Sequence, residues 1–292
     1  MDQVETGLSI FLDSGDHDDR IRSSNTFTKY YDMHTGNGQD ASFAYSFENG
    51  AMFVSSLEGN DRIKLENGVS WNSMEVQGGP QDDTLIVENV FSGGDALFDS
   101  DTFDNANGAD FVHAIGISVA GNLDIQTGFN QDRVRLKFSE VEMNLKIQTG
   151  LSPNDPGEDD VRVRNTDVLA NVTVETGGGN DLVVLFWLDC GSGIKINTSL
   201  GDDRVKVVYT WAGSMGLFTG SGMDSVKMNE VHMSNNLWIA MGEDEDIFWI
   251  ENSSSGVAPV FQGGGDDDTF YIRPNLFPNP SNTYAVNFEI FL

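Results

Sequence analysis

One aspartate recurs along this chain at nearly constant spacing, with a glycine two or four residues before each copy, as in TGGGNDLVV around Asp181. An apolar residue stands two places after every copy except one, where Ser42 replaces it. The successive intervals are 21, 21, 22, 27, 22, 27, 22, 22, 21, 22 and 22 residues. A fixed period of this length is typical of solenoid proteins, in which each repeat packs on the next. The recurring aspartates are Asp19, Asp40, Asp61, Asp83, Asp110, Asp132, Asp159, Asp181, Asp203, Asp224, Asp246 and Asp268.

Within one repeat, apolar and polar residues alternate, a period typical of β-strands. After Asp132, the inward candidates Val134, Leu136 and Phe138 alternate with basic residues, and a second alternating strand follows at 145–149. Between the two strands stands an asparagine or glycine, which predicts a corner because these residues tolerate a left-handed backbone. The corner candidates are Asn122, Asn144, Asn171, Gly193 and Asn236.

A unit of about 22 residues with two or three short strands cannot bury its own apolar face, so the units must stack. We therefore predict an all-β, single-stranded parallel β-helix (β-solenoid) of about twelve coils. The general preference for right-handed crossovers predicts a right-handed winding. The prediction assigns residues 1–272 to one β-helix repeat domain and 273–292 to a C-terminal capping segment.

The composition narrows the possible partners. A formal net charge of -30 and a pI near 4.1 disfavour nucleic acid and anionic membranes, because phosphates would be repelled. No stretch is long and apolar enough for a signal peptide or a membrane span. The single cysteine, Cys190, shares the parity of Leu188 and is interpreted as a small buried filler. Because almost nothing precedes the first coil to cover it, we expect the natural protein to continue N-terminally.

The glycine-rich turns suggest a family resemblance. Gly177, Gly179 and Asp181 fit the nonapeptide GGxGxDxUx, as do Gly220, Gly222 and Asp224. The chain thus resembles hemolysin-type (RTX-like) calcium-binding repeats, here with one such turn per coil instead of one on each edge. The resemblance implies Ca²⁺ held between successive turns by carboxylates and glycine-loop carbonyls. The implied metal ligands are Asp40, Asp132, Asp181, Asp203, Asp224 and Asp268.

A second interpretation of the same aspartates needs no metal. Each carboxyl would cap main-chain N–H groups of its own glycine turn, as aspartates do in Asx turns. Carboxylates stacked at strand spacing repel one another unless they are neutralised, and this repulsion favours bound cations. Both interpretations stay open at this point.

Basic residues concentrate at the outward positions of the first strand. They either balance the acidic turns through exposed ion pairs or bind an extended polyanion, with arginines chelating carboxylates or sulfates. The candidate glycan face comprises Arg133, Arg135, Lys137, Arg162, Arg164, Arg204 and Lys206.

Two turns are five residues longer than the others, at 100–110 and 149–160. They are expected to emerge near each other on one edge and to gather Asp101, Asp104, Asp155 and Glu158, either as tolerated drift or as a functional feature. No catalytic motif is found. The function expected is a non-catalytic, extracellular or cell-surface module of a larger bacterial protein, stabilised by calcium and serving scaffolding, adhesion or acidic-glycan binding. The alternative is a calcium-dependent polysaccharide lyase acting along the basic face.

Overall fold

A computed structural model describes residues 9–101, 108–150 and 152–273, and the backbone of strands Tyr284–Val286 and Phe288–Phe291. These residues contain strands and no helix. The chain divides into two compact units, unit 1 (Met1–Thr149) and unit 2 (Gly150–Leu292). Each unit is a β-solenoid whose successive coils pair in parallel, and the two together hold about twelve turns. The predicted fold class is confirmed, while the right-handed winding stays a prediction.

The described residues of unit 1 contain twelve strands. They are β1 Ile10–Asp13, β2 Arg20–His34, β3 Ala41–Ser55, β4 Arg62–Ser70, β5 Met74–Gln77, β6 Thr84–Ser92, β7 Ala96–Asp99, β8 Phe111–Ile115, β9 Ser118–Val119, β10 Leu123–Gln126, β11 Arg133–Val141 and β12 Leu145–Gln148.

Unit 2 contains the other twelve described strands. They are β13 Asp160–Val168, β14 Val172–Glu175, β15 Leu182–Asn197, β16 Arg204–Ser221, β17 Ser225–Met233, β18 Leu237–Glu243, β19 Ile247–Glu251, β20 Ser254–Ser255, β21 Val260–Gly264, β22 Asp268–Ile272, β23 Tyr284–Val286 and β24 Phe288–Phe291.

Each coil has a first segment, which follows the recurring aspartate, and a second segment, which precedes the next glycine turn. In β4 and β5 the two segments are separate strands, whereas β3 runs through both without a break. The outward residues of the first segments form the first-segment face of a unit, and those of the second segments form its second-segment face.

Apolar residues two places after the recurring aspartate form a continuous inward column in each unit. In unit 1, Ile63, Leu85, Val112 and Val134 are register partners in succession. All four are at most 1% exposed. Parallel pairing keeps equivalent side chains on one face, so a single apolar position per repeat produces a packed core. In unit 2 the column is Val161, Val183, Val205, Val226, Phe248 and Phe270.

Glycine recurs in the turns because successive turns lie directly on one another. Gly179 has a φ of 110°, and a Cβ added there would lie 1.4 Å from the carbonyl oxygen of Gly157. No side chain fits that space, and L residues rarely adopt that backbone conformation. The repeated glycines are therefore explained by backbone packing alone.

The left-handed corners lie elsewhere than predicted. None of the asparagine and glycine corner candidates has a positive φ; the left-handed residue comes six places after the recurring aspartate, inside the first segment. The asparagines instead join neighbouring coils: Asn144 donates from Nδ2 to Asn122 Oδ1 at 2.9 Å. The observed corners are Asn25, Ser46, Asn67, Asn89, Gly116, Phe138, Asn165, Trp187, Tyr209, Glu230 and Asn252.

Three of these corners carry a bulky aromatic residue. Phe138, Trp187 and Tyr209 have φ between 51° and 56°, a region that costs roughly 1–2 kcal/mol for a side chain of this kind. The prediction that Phe138 points inward is wrong, because the turn of the backbone at this corner leaves its side chain 63% exposed. Trp187 and Tyr209 stack at 4.8 Å, and this contact offsets part of the backbone strain.

Parallel pairing continues past residue 273. Strand β23 pairs with β21, and β24 pairs with β22, so both segments of the preceding coil gain a partner. That 273–292 serves as a cap stays a prediction. No helix long and apolar enough to cross a membrane occurs in the part of the chain that the structure describes.

Candidate functional site

The recurring aspartates form a hydrogen-bonded row, which we call the aspartate ladder. In each step the side-chain Oδ1 of one aspartate accepts the main-chain N–H of the recurring aspartate one coil earlier, at N–O distances of 2.7–2.9 Å. The ladder carboxyls are Asp40, Asp61, Asp83, Asp110 and Asp132 in unit 1, and Asp181, Asp203, Asp224, Asp246 and Asp268 in unit 2.

This geometry corrects the interpretation of the aspartates as caps of their own glycine turns. The capped N–H belongs to the neighbouring coil, since the parallel register places that N–H directly beside the next carboxyl. The aspartates one place earlier in the turn point the other way: Asp18, Asp82 and Asp202 accept N–H groups from the coil that follows, each at 2.9 Å. Acidic turn residues therefore connect coils in both directions.

Burial raises the pKa of several ladder carboxyls. Every ladder carboxyl is at most 3% exposed. Burial raises the pKa of Asp83 to about 10 and that of Asp203 to about 8, because a charged carboxylate loses its hydration inside the protein. The main-chain N–H that each carboxyl accepts lowers the pKa, but by less than burial raises it.

A row of hydroxyl groups runs beside the ladder. Thr176, Thr198 and Thr219 stand five residues before Asp181, Asp203 and Asp224, and all three are fully buried. Burial raises the pKa of the neighbouring carboxyls to about 7, 8 and 6 in that order, and the hydroxyls oppose this rise. The parity of these threonines marks them as inward in the sequence, but their role beside the carboxyls is visible only in the structure.

The predicted metal ligands Asp40, Asp132, Asp181, Asp203, Asp224 and Asp268 all belong to the ladder. Calcium requires six to eight oxygen ligands gathered around one point. The ladder instead places its carboxyls in a line, one per coil, with Oδ1 of each engaged by a main-chain N–H. Within the described ranges, no group of three or more His, Cys, Asp or Glu side chains is placed to hold a metal ion. These residues do not fit the calcium arrangement that the resemblance implies.

The acids of the two long turns lie in different units. In unit 1, Asp101 is 7% exposed, and burial raises its pKa to about 7. In unit 2, Asp155 is buried and its Oδ1 accepts the N–H of Gly157 at 3.1 Å, while Glu158 is exposed. Asp104 lies outside the described residues, and the gathering of these acids at one edge stays a prediction.

In unit 1, the predicted glycan residues Arg133, Arg135 and Lys137 project from the outward side of β11. Arg133 is exposed, and Arg135 donates from Nη1 to the carbonyl oxygen of Val134 at 3.2 Å. Their register partners in the preceding coil are Phe111, His113 and Ile115, so the basic row gives way there to mostly apolar side chains.

In unit 2, the predicted basic face is interrupted. Arg162 is paired with Asp160 through Nε and Nη2, at 2.8 and 3.1 Å. Leu182, Val184 and Phe186 occupy the outward positions of the next coil, so they separate Arg162 and Arg164 from Arg204 and Lys206.

Arg204 and Lys206 are exposed, and neither is ion-paired among the described residues of unit 2. Arg164 Nε is covered from solvent and donates no hydrogen bond within the described residues. The seven predicted cations therefore form separate patches within their units.

Sequence reasoning missed a groove on the first-segment face of unit 1. Arg20, Arg22, Phe43, Tyr45 and Lys64, with Ala44 and Glu66, line a pocket of about 250 Å³. The register explains their proximity, since Arg22 pairs with Phe43 and Phe43 pairs with Lys64. An aromatic residue, Phe43, at the position that holds Arg22 and Lys64 in the neighbouring coils is the signal that could have identified the groove.

A second missed feature is an aromatic cluster on the outer surface of unit 2. Trp211 stacks on His232 at 5.8 Å and contacts Trp187 at 6.1 Å, and Trp187 stacks on Tyr209. Trp187 and Trp211 are 47% and 39% exposed.

Comparisons with models of known families, with curated proteins and with solved structures returned no match.

Proposed function

We propose that this protein is a non-catalytic binding and scaffolding solenoid that takes an acidic polysaccharide on its first-segment face. The observation that carries the proposal is the groove formed by Arg20, Arg22, Phe43, Tyr45 and Lys64 in unit 1. Acidic polysaccharides coat cell surfaces, so the proposal includes an extracellular or cell-surface location and a role in adhesion.

The cations of the groove differ in how far they are already neutralised. Lys64 Nζ lies 2.8 Å from Glu66 and 2.9 Å from Glu88, so its charge is balanced. Arg20 and Arg22 are exposed and are not ion-paired among the described residues. Two guanidinium groups with unused donors can chelate the carboxylates or sulfates of a sugar chain.

The aromatic side chains supply the second part of the recognition. The guanidinium of Arg20 lies 5.0 Å from the ring centroid of Phe43, which holds the cation over the aromatic face. Tyr45 is 43% exposed, so part of its ring is available to stack against a sugar ring. Cations beside an aromatic surface match both the acidic groups and the apolar faces of a glycan.

The net charge of the protein opposes this binding, but only over a limited range. Exposed charges more than about 8–10 Å away are largely screened at physiological ionic strength. A bound anionic group therefore senses chiefly the local cations of the groove. Within unit 1, Arg133, Arg135 and Lys137 are further contact points for a long chain.

Calcium is left out of this proposal because the ladder carboxyls already cap main-chain N–H groups. The resemblance to RTX-like repeats then rests on the shared geometry of glycine-rich turns. The ordered coils of about 22 residues are sufficient to present the groove.

The test is retention on immobilised polygalacturonate and on a sulfated glycan, eluted with a salt gradient. We expect Arg20→Gln combined with Arg22→Gln to weaken binding about 30-fold, since each of the two charge-assisted contacts contributes about 1 kcal/mol at an exposed site. Lys195→Gln serves as a control, because Lys195 lies on a second-segment strand and is paired with Glu175 at 2.8 Å.

Two results would overturn the proposal. One is equal retention of the double variant and the wild type, which would show that the groove is not the binding site. The other is release of unsaturated sugar products during incubation, which would favour the lyase.

A further inference from the structure

A pocket with a volume of about 520 Å³ lies on the second-segment face of unit 1. Its floor is formed by strands β5, β7, β10 and β12. Three carboxylates line it, namely Glu75, Asp95 and Asp124, together with the apolar side chain of Leu97 and the cation Lys146. A pocket of this size accommodates a small molecule.

None of the three carboxylates is neutralised within the described residues. Glu75 accepts a hydrogen bond from Gln77, and Asp95 accepts from the main-chain and side-chain nitrogens of Asn122. All of these donors are uncharged. Lys146 is the register neighbour of Asp124, yet its Nζ donates to Gln148 at 2.8 Å and pairs with no acid among the described residues. The pocket therefore holds uncompensated negative charge.

One oxygen of the Asp124 carboxylate lacks a hydrogen-bond donor among the described residues. Its Oδ2 accepts a hydrogen bond from Gln126 at 3.1 Å, whereas Oδ1 is covered from solvent and accepts none from the described residues. Nearby, burial raises the pKa of Asp99 to about 6, and the charges of Asp124 and Glu75 contribute to this rise. A cation in the pocket would offset the charges of Asp124 and Glu75 and so relieve the second of these conditions.

The register fixes the spacing of the charges. Glu75 pairs with Leu97, and Leu97 pairs with Asp124, so the three side chains form one outward column. With parallel strands about 4.8 Å apart, the two carboxylates stand roughly 10 Å from each other, with an apolar residue midway. A single metal ion cannot contact both, and no metal-holding group of three or more such side chains occurs in the described ranges. An elongated ligand with a charge at each end and an apolar middle matches the column.

We propose that this pocket binds a small organic dication of the diaminoalkane class. One ammonium group bonds Glu75, the other bonds Asp124, and the methylene chain lies on Leu97. Asp95, at the edge of the pocket, adds to the negative potential that attracts the ligand. This site is separate from the groove on the first-segment face and takes a ligand of the opposite charge.

Calorimetric titration of the full chain with 1,5-diaminopentane at low salt tests the proposal. We expect saturable binding that weakens about 5-fold in Glu75→Gln and in Asp124→Asn, and that is lost at high salt. The monoamine 1-aminopentane and the short 1,2-diaminoethane should bind at least 10-fold more weakly, since neither can reach both carboxylates.

Two further variants separate this geometry from general attraction of cations to an acidic protein. Leu97→Ser keeps every charge and should weaken 1,5-diaminopentane about 3-fold. Asp167→Asn removes an exposed acid of unit 2 and should change nothing. The proposal is overturned if no saturable binding occurs, if the monoamine binds equally well, or if Asp167→Asn weakens binding as much as Glu75→Gln. Melting temperatures close to that of the wild type establish that each variant folds.

Discussion

Two successive turns of unit 1 carry the same ladder bond but hold their carboxyls in different surroundings. Asp61 accepts the N–H of Asp40, and Asp83 accepts that of Asp61, both at 2.7 Å. Five residues before Asp61 stands Ser56, whose hydroxyl lowers the pKa of that carboxyl. Five residues before Asp83 stands Gly78, where an added Cβ would lie only 2.6 Å from Asp83 Oδ2. Burial raises the pKa of Asp61 to about 6 and that of Asp83 to about 10.

The difference shows that capping and ionisation are separate properties of the ladder. The cap depends on the register of the coils, which is the same in both turns. The pKa depends on how deeply the carboxyl is enclosed and on whether a hydroxyl faces it. At Asp83, which no hydroxyl faces, the carboxyl is held in the neutral form, and folding at neutral pH then requires proton uptake there.

The largest expected effect is on the pH dependence of stability. The carboxyls of Asp61 and Asp83 have folded pKa values above the unfolded value of about 3.9, so the stabilisation they contribute is complete below pH 4. It is lost as pH rises through about 6 for Asp61 and about 10 for Asp83. We expect the free energy of unfolding to fall by roughly 3 kcal/mol or more between pH 5 and pH 9. Denaturant unfolding at fixed salt measures this, and stability that rises over that interval would contradict it.

The next largest effect separates the two turns. Asp83→Asn keeps the Oδ1 acceptor and removes the need for proton uptake, so it should stabilise the protein by about 1–2 kcal/mol at pH 8. The buried amide group reduces this gain, because its N–H groups need partners. Asp61→Asn is the matched control and should gain less than half as much. Equal gains at both positions, or a loss at Asp83, would show that the two carboxyls ionise alike.

Removing a hydroxyl should raise the pKa of the ladder carboxyl that it faces toward that of Asp83. Thr176→Val replaces the hydroxyl that lowers the pKa of Asp181 with a methyl group of similar shape. We expect a loss of about 0.5–1 kcal/mol at pH 9 and little change at pH 5, where Asp181 is protonated in either case. A loss of the same size at both pH values would indicate a packing effect instead.

The smallest expected effect is that of calcium. If the ladder carboxyls only cap N–H groups, chelation should shift the melting temperature by no more than about 1–2 °C at constant ionic strength. A large decrease in the melting temperature on chelation, reversed by Ca²⁺ and not by Mg²⁺, would indicate that the ladder binds calcium as the RTX-like resemblance implies. Asp181→Asn should then also lose calcium stabilisation.

The repeat itself could be predicted because it rests on periodic features. The interval between aspartates sets the coil length, and the apolar residue two places later sets the core column, as Val134 shows. The direction of the ladder bond could not be predicted. Whether Asp181 caps its own turn or the coil before it depends on how far one coil is shifted against the next, and no single repeat contains that shift.

The left-handed backbone was predicted at the wrong positions for a related reason, although the chain does bend directly before Asn122, Asn144, Asn171 and Asn236. Asn144 is the kind of residue that tolerates a left-handed backbone, but asparagine also bonds between coils, and the residue type does not distinguish the two roles. A recurring asparagine six places after the aspartate, at Asn67 and Asn89 among others, was the better signal. Trp187 and Tyr209 conceal it, since aromatic residues are rarely left-handed. The groove and the acidic pocket escaped notice because their side chains come from different coils.

The direction of the ladder has a consequence for biosynthesis. The N–H at each recurring aspartate finds its acceptor only on the coil that follows, so the ribosome always releases a newest coil whose turn is unfinished. Within each unit, the backbone groups at the edge of a coil are paired only when the next coil folds onto it. Growth from the N-terminus therefore advances a single incomplete edge along the unit, and an interruption in translation leaves the aspartate N–H at that edge unpaired, together with the strand N–H and C=O groups that the next coil would have bonded.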